Sequence, residues 1–83
     1  MDIQYSKRAI KAINGMDKPT KQRIRKAIEG LPKGDIKTLQ GAENSYRLRV
    51  GDWCILFSYL ETEAGKGILI EKVAPRGEVY KGV

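Results

Sequence analysis

YRLRVGDWCILFSY, residues 46–59, decides the fold of this 83-residue chain. Two runs of alternating residues flank Gly51-Asp52, a pair suited to a two-residue hairpin turn with glycine first, as type II′ prefers. Counting outward from the turn sets Val50 opposite Trp53, Arg49 opposite Cys54, Leu48 opposite Ile55, Arg47 opposite Leu56 and Tyr46 opposite Phe57. Side chains alternate across a strand, so Tyr46, Leu48, Val50, Trp53, Ile55 and Phe57 share one face. That face is wholly apolar or aromatic and must be the core side. Arg47, Arg49, Cys54 and Leu56 share the other. A slip of one residue would bury both arginines, so the register is strongly specified.

The rest of the chain builds on this hairpin. After the glycine-rich stretch ETEAGKG (61–67), KGILIEKVA (66–74) reads as a further strand, which makes an antiparallel meander of three. Upstream, DIQYS (2–6) alternates Ile3 and Tyr5 with polar neighbours, as a short first strand does. Ser6 suits an N-cap for a helix carrying Ala9, Ile10 and Ile13 inward, closed by Gly15. MDKPTKQRIRKAIEGLPKG (16–34) reads as a second helix. Asp17 or Thr20 caps it, Pro19 falls in its first turn, and Gly30 and Pro32 end it. Ile24, Ala27, Ile28 and Leu31 form its apolar stripe, while Lys18, Lys21 and Arg25 mark a solvated basic face. The expected architecture is α+β, a single domain over 1–83. A short N-terminal strand and a two-helix hairpin pack on a twisted antiparallel sheet.

Composition narrows the function. Sixteen Lys and Arg against ten Asp and Glu leave a net charge of +6, which suits a polyanionic partner such as nucleic acid or an acidic protein segment. One cysteine makes no intramolecular disulfide, and with no histidine the chain offers no zinc site of the usual Cys/His kind. No metal or cofactor is expected. The N-terminus lacks the apolar run of a signal peptide and no window is apolar enough to span a membrane, so the cytoplasm is the expected location.

Arg47 and Arg49 alone read equally as a solvated strand face. APRGEVYKGV (74–83) adds Arg76 and Tyr80 just after the third strand of the meander, with Lys72 and Lys81 near in sequence. Several cations and one phenol, without a carboxylate pair or histidine, suit a phosphodiester. YRLRVGDWCILFSY followed by IEKVAPRGEVYK, behind two amphipathic helices, resembles the RelE/ParE superfamily of toxins from type II toxin–antitoxin modules. The resemblance spans essentially the whole chain and implies a RelE-like α+β fold. It also implies a cognate antitoxin as partner. For the RelE branch it implies ribosome-dependent cleavage of mRNA in the decoding site, in contact with ribosomal RNA. For the ParE branch it implies non-enzymatic inhibition of DNA gyrase, and a plain basic RNA-binding module is a further alternative.

Carried over by position, Arg47 and Arg49 match the basic pair of the RelE hairpin, Tyr80 its C-terminal tyrosine and Arg76 the arginine upstream of it. Lys72 and Lys81 are expected to help bind substrate. The departure is Cys54, which stands where the RelE pattern often has an arginine. That change implies a weakened endoribonuclease. The chemistry implied is metal-independent attack by an RNA 2′-hydroxyl on the adjacent phosphorus. Tyr80 would act as base, though a phenol near pKa 10 needs neighbouring cations to lower it. Cys54 has no histidine to activate it as a nucleophile.

Overall fold

Among the described residues five strands and two helices emerge in the order β1 (Asp2–Tyr5), α1 (Lys7–Asn14), α2 (Lys18–Glu29), β2 (Asp35–Thr38), β3 (Tyr46–Val50), β4 (Trp53–Thr62) and β5 (Gly65–Pro75). The computed structural model describes residues 2–31, 33–39, 41 and 43–78. Strands β2 to β5 run as an antiparallel meander, and β1 closes the sheet by pairing parallel with β5, giving the order β1-β5-β4-β3-β2. The architecture is α+β, as the sequence predicts, with a mixed rather than wholly antiparallel sheet. Hydrophobic alternation carries no strand direction, so the parallel edge was not readable from it.

The decisive hairpin has the expected register in every pair, from Tyr46↔Phe57 to Val50↔Trp53. Gly51 takes φ +59°, the left-handed value that the first position of a II′ turn needs. Both helices begin at the expected caps. Ser6 Oγ accepts from Ala9 N at 3.0 Å and donates to Glu71 O at 2.7 Å, so one hydroxyl caps α1 and fastens it to β5. Asp17 accepts from Thr20 N at 3.3 Å and from Thr20 Oγ1 at 2.7 Å. Those bonds hold its carboxyl below the usual aspartate value. Gly15 and Gly30 close the two helices. Pro32, read as a second stop for α2, lies outside the described residues.

Ala9 and Ile13 of α1 and Ile24, Ile28 and Leu31 of α2 pack on Leu48, Ile55, Phe57, Ile68, Ile70 and Val73 of the sheet. Full burial of Phe57 alone contributes about 1.5–3 kcal/mol. Ile10 departs from expectation. It is 47% exposed, because the Ala9–Ile13 line of this two-turn helix faces the sheet and Ile10 lies about 100° round from Ala9.

Strand β5 holds a second departure. Ile70 and Val73 are both buried on the helix side, an odd spacing that strict alternation forbids. A register shift resolves it: Phe57 pairs with Ile70 but Leu56 pairs with Lys72, leaving Glu71 as an extra residue. The bulge turns Lys72 and Ala74 onto the face away from the helices. Strand β2 was not expected at all. Of its four residues only Ile36 is even partly buried, so the segment shows almost no alternation.

Candidate nucleic-acid interface

The sheet surface away from the helices is organised as two cross-strand rows. One runs Lys37–Arg47–Leu56–Lys72 and the next Asp35–Arg49–Cys54–Ala74, through β2, β3, β4 and β5. Rows two residues apart along a strand are separated by about 6.6–6.8 Å. Arg47 and Arg49 therefore project side by side from β3, with Lys37 and Lys72 flanking the first row. Arg49 Nε bonds back to Gly51 O at 3.5 Å, so its guanidinium is drawn toward the turn. Arg76 N donates to Asp52 O at 2.8 Å, which carries the chain past the end of β5 along the same turn. Arg76 is exposed. Arg49, Arg76 and the turn thus form one end of the face, and Arg47 and Lys72 its middle.

Cys54 is on this face, opposite Arg49, as the register requires. It is not open to solvent. Cys54 is 1% exposed and Leu56 5%, and both pack with Leu39 and Ala74 in a second apolar cluster separate from the main core. Leu39 continues the alternation of Asp35 and Lys37, and its N–H bonds to Ser45 O at 2.9 Å, which holds it over the sheet. The centre of the basic face is therefore an apolar floor, and the thiol beneath it offers nothing to a ligand. This floor has a cost: Arg47 Nε is buried and has no hydrogen-bond partner. An unmade hydrogen bond of this kind is worth about 1–3 kcal/mol. Tyr80 and Lys81, both expected at the site, lie outside the described residues.

One cation was missed. Arg23 of α2 reaches the β3–β4 turn so closely that a β-carbon at position 51 would lie 2.9 Å from its Nη2. Helical spacing alone assigns Arg23 to the solvated basic side, and only the packing angle of α2 on the sheet brings it here.

Concavities lie elsewhere on the described surface. One of about 270 Å³ is lined by Tyr5, Ile10, Ile13, Asn14, Lys21 and Arg25. Burial raises the Tyr5 phenol above its ordinary value, with Arg25 opposing and Glu29 reinforcing the shift. Another, about 320 Å³, lies beside Asn44, Tyr46 and Tyr59. Among the described residues no group of His, Cys, Asp or Glu could hold a metal ion, and no helix is long and apolar enough to cross a membrane.

No protein-family model matches the sequence, and none of the curated proteins compared with it matches. Solved structures do. The chain is similar to the RelB–RelE antitoxin–toxin complex from Methanococcus jannaschii at 26% identity and TM-score 0.71, covering 93% of this chain and 94% of that one. It is similar to the archaeal RelE–RelB complex from Pyrococcus horikoshii OT3 at 29% identity and TM-score 0.68, covering 93% and 96%. The isolated E. coli RelE toxin matches at 16% identity and TM-score 0.66, over 95% and 89%, a likeness of fold alone. Two helices on a five-stranded mixed sheet, matched over nearly the full length of both partners, give this chain the RelE toxin fold.

Proposed function

We propose that this chain is the toxin of a type II toxin–antitoxin pair, a ribosome-dependent endoribonuclease that cuts mRNA in the decoding site. The observation that carries the reading is the cationic face: Arg47 and Arg49 side by side on β3, with Arg76 at the adjoining turn. Among the described residues neither Arg49 nor Arg76 forms an ion pair. Guanidinium groups in that arrangement suit the non-bridging oxygens of a phosphodiester.

In the proposed step the RNA 2′-oxygen bonds to the adjacent phosphorus and its proton passes to the phenolate form of Tyr80, which neighbouring cations favour. The bond from phosphorus to the 5′-oxygen breaks, and the products are a 2′,3′-cyclic phosphate and a 5′-hydroxyl. Arg47 and Arg49 stabilise charge on the phosphoryl oxygens, and Arg76 the leaving side. Arginine keeps its protons in proteins, so the proton for the leaving oxygen comes from water or a ribosomal group. Lys72 and Lys81 hold flanking phosphates. Cys54 stands where a further cation would act. Loss of one such donor costs about 2.7–4 kcal/mol, or roughly 10²- to 10³-fold in rate, so slow cleavage belongs to the reading.

The partner is an antitoxin, by analogy with the RelB–RelE complexes. The net charge of +6 supports an acidic segment on the toxin. The concavity at Ile10, an exposed apolar side chain beside Lys21 and Arg25, offers such a segment an anchor.

Mapping of mRNA 5′ ends after expression in cells tests the proposal. Codon-phased cuts support it. The buried Cys54 floor favours a second reading, a gyrase inhibitor of the ParE kind, and loss of supercoiling without cuts would establish that instead.

A further inference from the structure

Three guanidinium-bearing residues from separate parts of the chain meet at the two-residue turn between β3 and β4. Arg23 comes from α2, and its Nη2 and Cζ would lie 2.9 and 3.8 Å from a β-carbon at position 51. Arg49 comes from β3 and bonds to Gly51 O at 3.5 Å. Arg76 follows β5, and its backbone N–H bonds to Asp52 O at 2.8 Å. Among the described residues none of the three forms an ion pair, although Asp52 is in the turn itself. Asp35 stands opposite Arg49 across the β2–β3 pair, yet among the described residues neither it nor Asp52 pairs with the three, so the cluster keeps a net positive charge in a chain already at +6. Guanidinium groups brought to one turn and left unpaired by the described carboxylates suit a bound anion. Gly51 makes it possible twice over, since the turn needs φ +59° there and a side chain would displace Arg23.

We infer that Arg23 is a nucleic-acid-binding residue, which with Arg49 and Arg76 forms a phosphate subsite at the hairpin tip. The RNA backbone then runs from the Arg47 row, past Arg49, over the turn and onto the helical layer. This inference rests on the reading of the sheet face as an RNA site. It adds a helix, a second phosphate and a direction for the strand.

The test is salt-dependent binding of a labelled single-stranded RNA of about 12 nucleotides to the full chain. The variants are Arg23→Ala, Arg23→Lys, Arg49→Ala and Lys11→Ala. The last removes one exposed charge from α1 and matches the net charge of Arg23→Ala. One phosphate contact on a single strand contributes about 0.7 to the slope of log K against log salt. Arg23→Ala should flatten the slope by about 0.7, or about fivefold in affinity at 0.1 M relative to 1 M salt. Arg23→Lys should keep most of the slope and Lys11→Ala all of it. If Arg49→Ala weakens binding while Arg23→Ala matches either the wild type or Lys11→Ala, the inference is wrong and the RNA site stands. If Arg49→Ala also binds as the wild type does, both are wrong. Arg23→Lys keeps the charge and most of the bulk, so its retained slope separates a lost contact from a disturbed turn.

Discussion

Replacing Arg47 with methionine should make the protein more stable and worse at holding RNA. Arg47 Nε is buried without a hydrogen-bond partner, a liability of about 1–3 kcal/mol. Lys37 stands directly opposite across the β2–β3 pair, and like charges so placed are destabilising by roughly 0.2–1 kcal/mol. That second contribution falls at the low end, since Lys37 is exposed and well screened. Methionine keeps an unbranched stem over Leu56 and removes both penalties. The net expectation is about 1–2 kcal/mol of added stability. In urea, with an m-value near 1 kcal/mol/M for so small a chain, the midpoint should rise by about 1–2 M at unchanged slope. The melting temperature should rise by about 4–8 °C for each kcal/mol. Over the same substitution the salt slope of RNA binding should flatten by about 0.7. A midpoint that stays or falls would show that the orphaned nitrogen is no liability. Unchanged RNA binding would remove Arg47 from the site.

Other substitutions probe other joints. Cys54→Arg should strongly increase growth inhibition on expression and lower the urea midpoint, because the longer side chain overpacks the Leu39–Leu56 floor by about 1–3 kcal/mol and its charge, opposite Arg49, has to be driven out of that floor to solvent; unchanged toxicity would refute the site as drawn. Ser6→Ala loses the α1 cap and the tie to Glu71 O and should cost about 1–2 kcal/mol, with faster amide exchange at Ala9; wild-type stability would contradict the double role. The low Asp17 pKa means that its contribution to folding is complete above the ordinary value of 3.8 and fades as pH falls through the lower folded value. Thr20→Val should move the Asp17 titration back toward 3.8 in a carboxyl NMR experiment, and an unmoved titration would show that the hydroxyl is not its cause.

The hairpin at 46–57 was legible residue by residue because one face is apolar and the other cationic, so alternation and turn chemistry agree. The same logic read both helix caps, where a hydroxyl or carboxylate at the right spacing has one good use. What stayed hidden has physical reasons. Strand β2 draws its place from backbone pairing with β3 and buries little, so no pattern marks it. The bulge at Glu71 breaks the period of two and puts Ile70 and Val73 on the same face at an odd spacing. Alternation within the hairpin suggests an open face opposite the helices, yet Leu39, just past β2, and Ala74 of β5 seal Cys54 and Leu56. Neither contact is visible within the hairpin itself. Arg23 reaches the turn through the docking angle of α2, a tertiary quantity with no local signature.

In the proposed reaction the arginines of β3 and the adjoining turn hold a phosphodiester while RNA cleaves itself through its 2′-hydroxyl. The most direct measurement is end-group analysis of mRNA incubated with translating ribosomes and purified protein, comparing wild type, Cys54→Arg and Arg49→Ala. The wild type should give slow codon-phased cuts, Cys54→Arg faster ones and Arg49→Ala none. Every new end should carry a 5′-hydroxyl or a 2′,3′-cyclic phosphate. Cuts bearing 5′-phosphates, or an Arg49→Ala protein that cuts as fast as the wild type, would contradict that reaction.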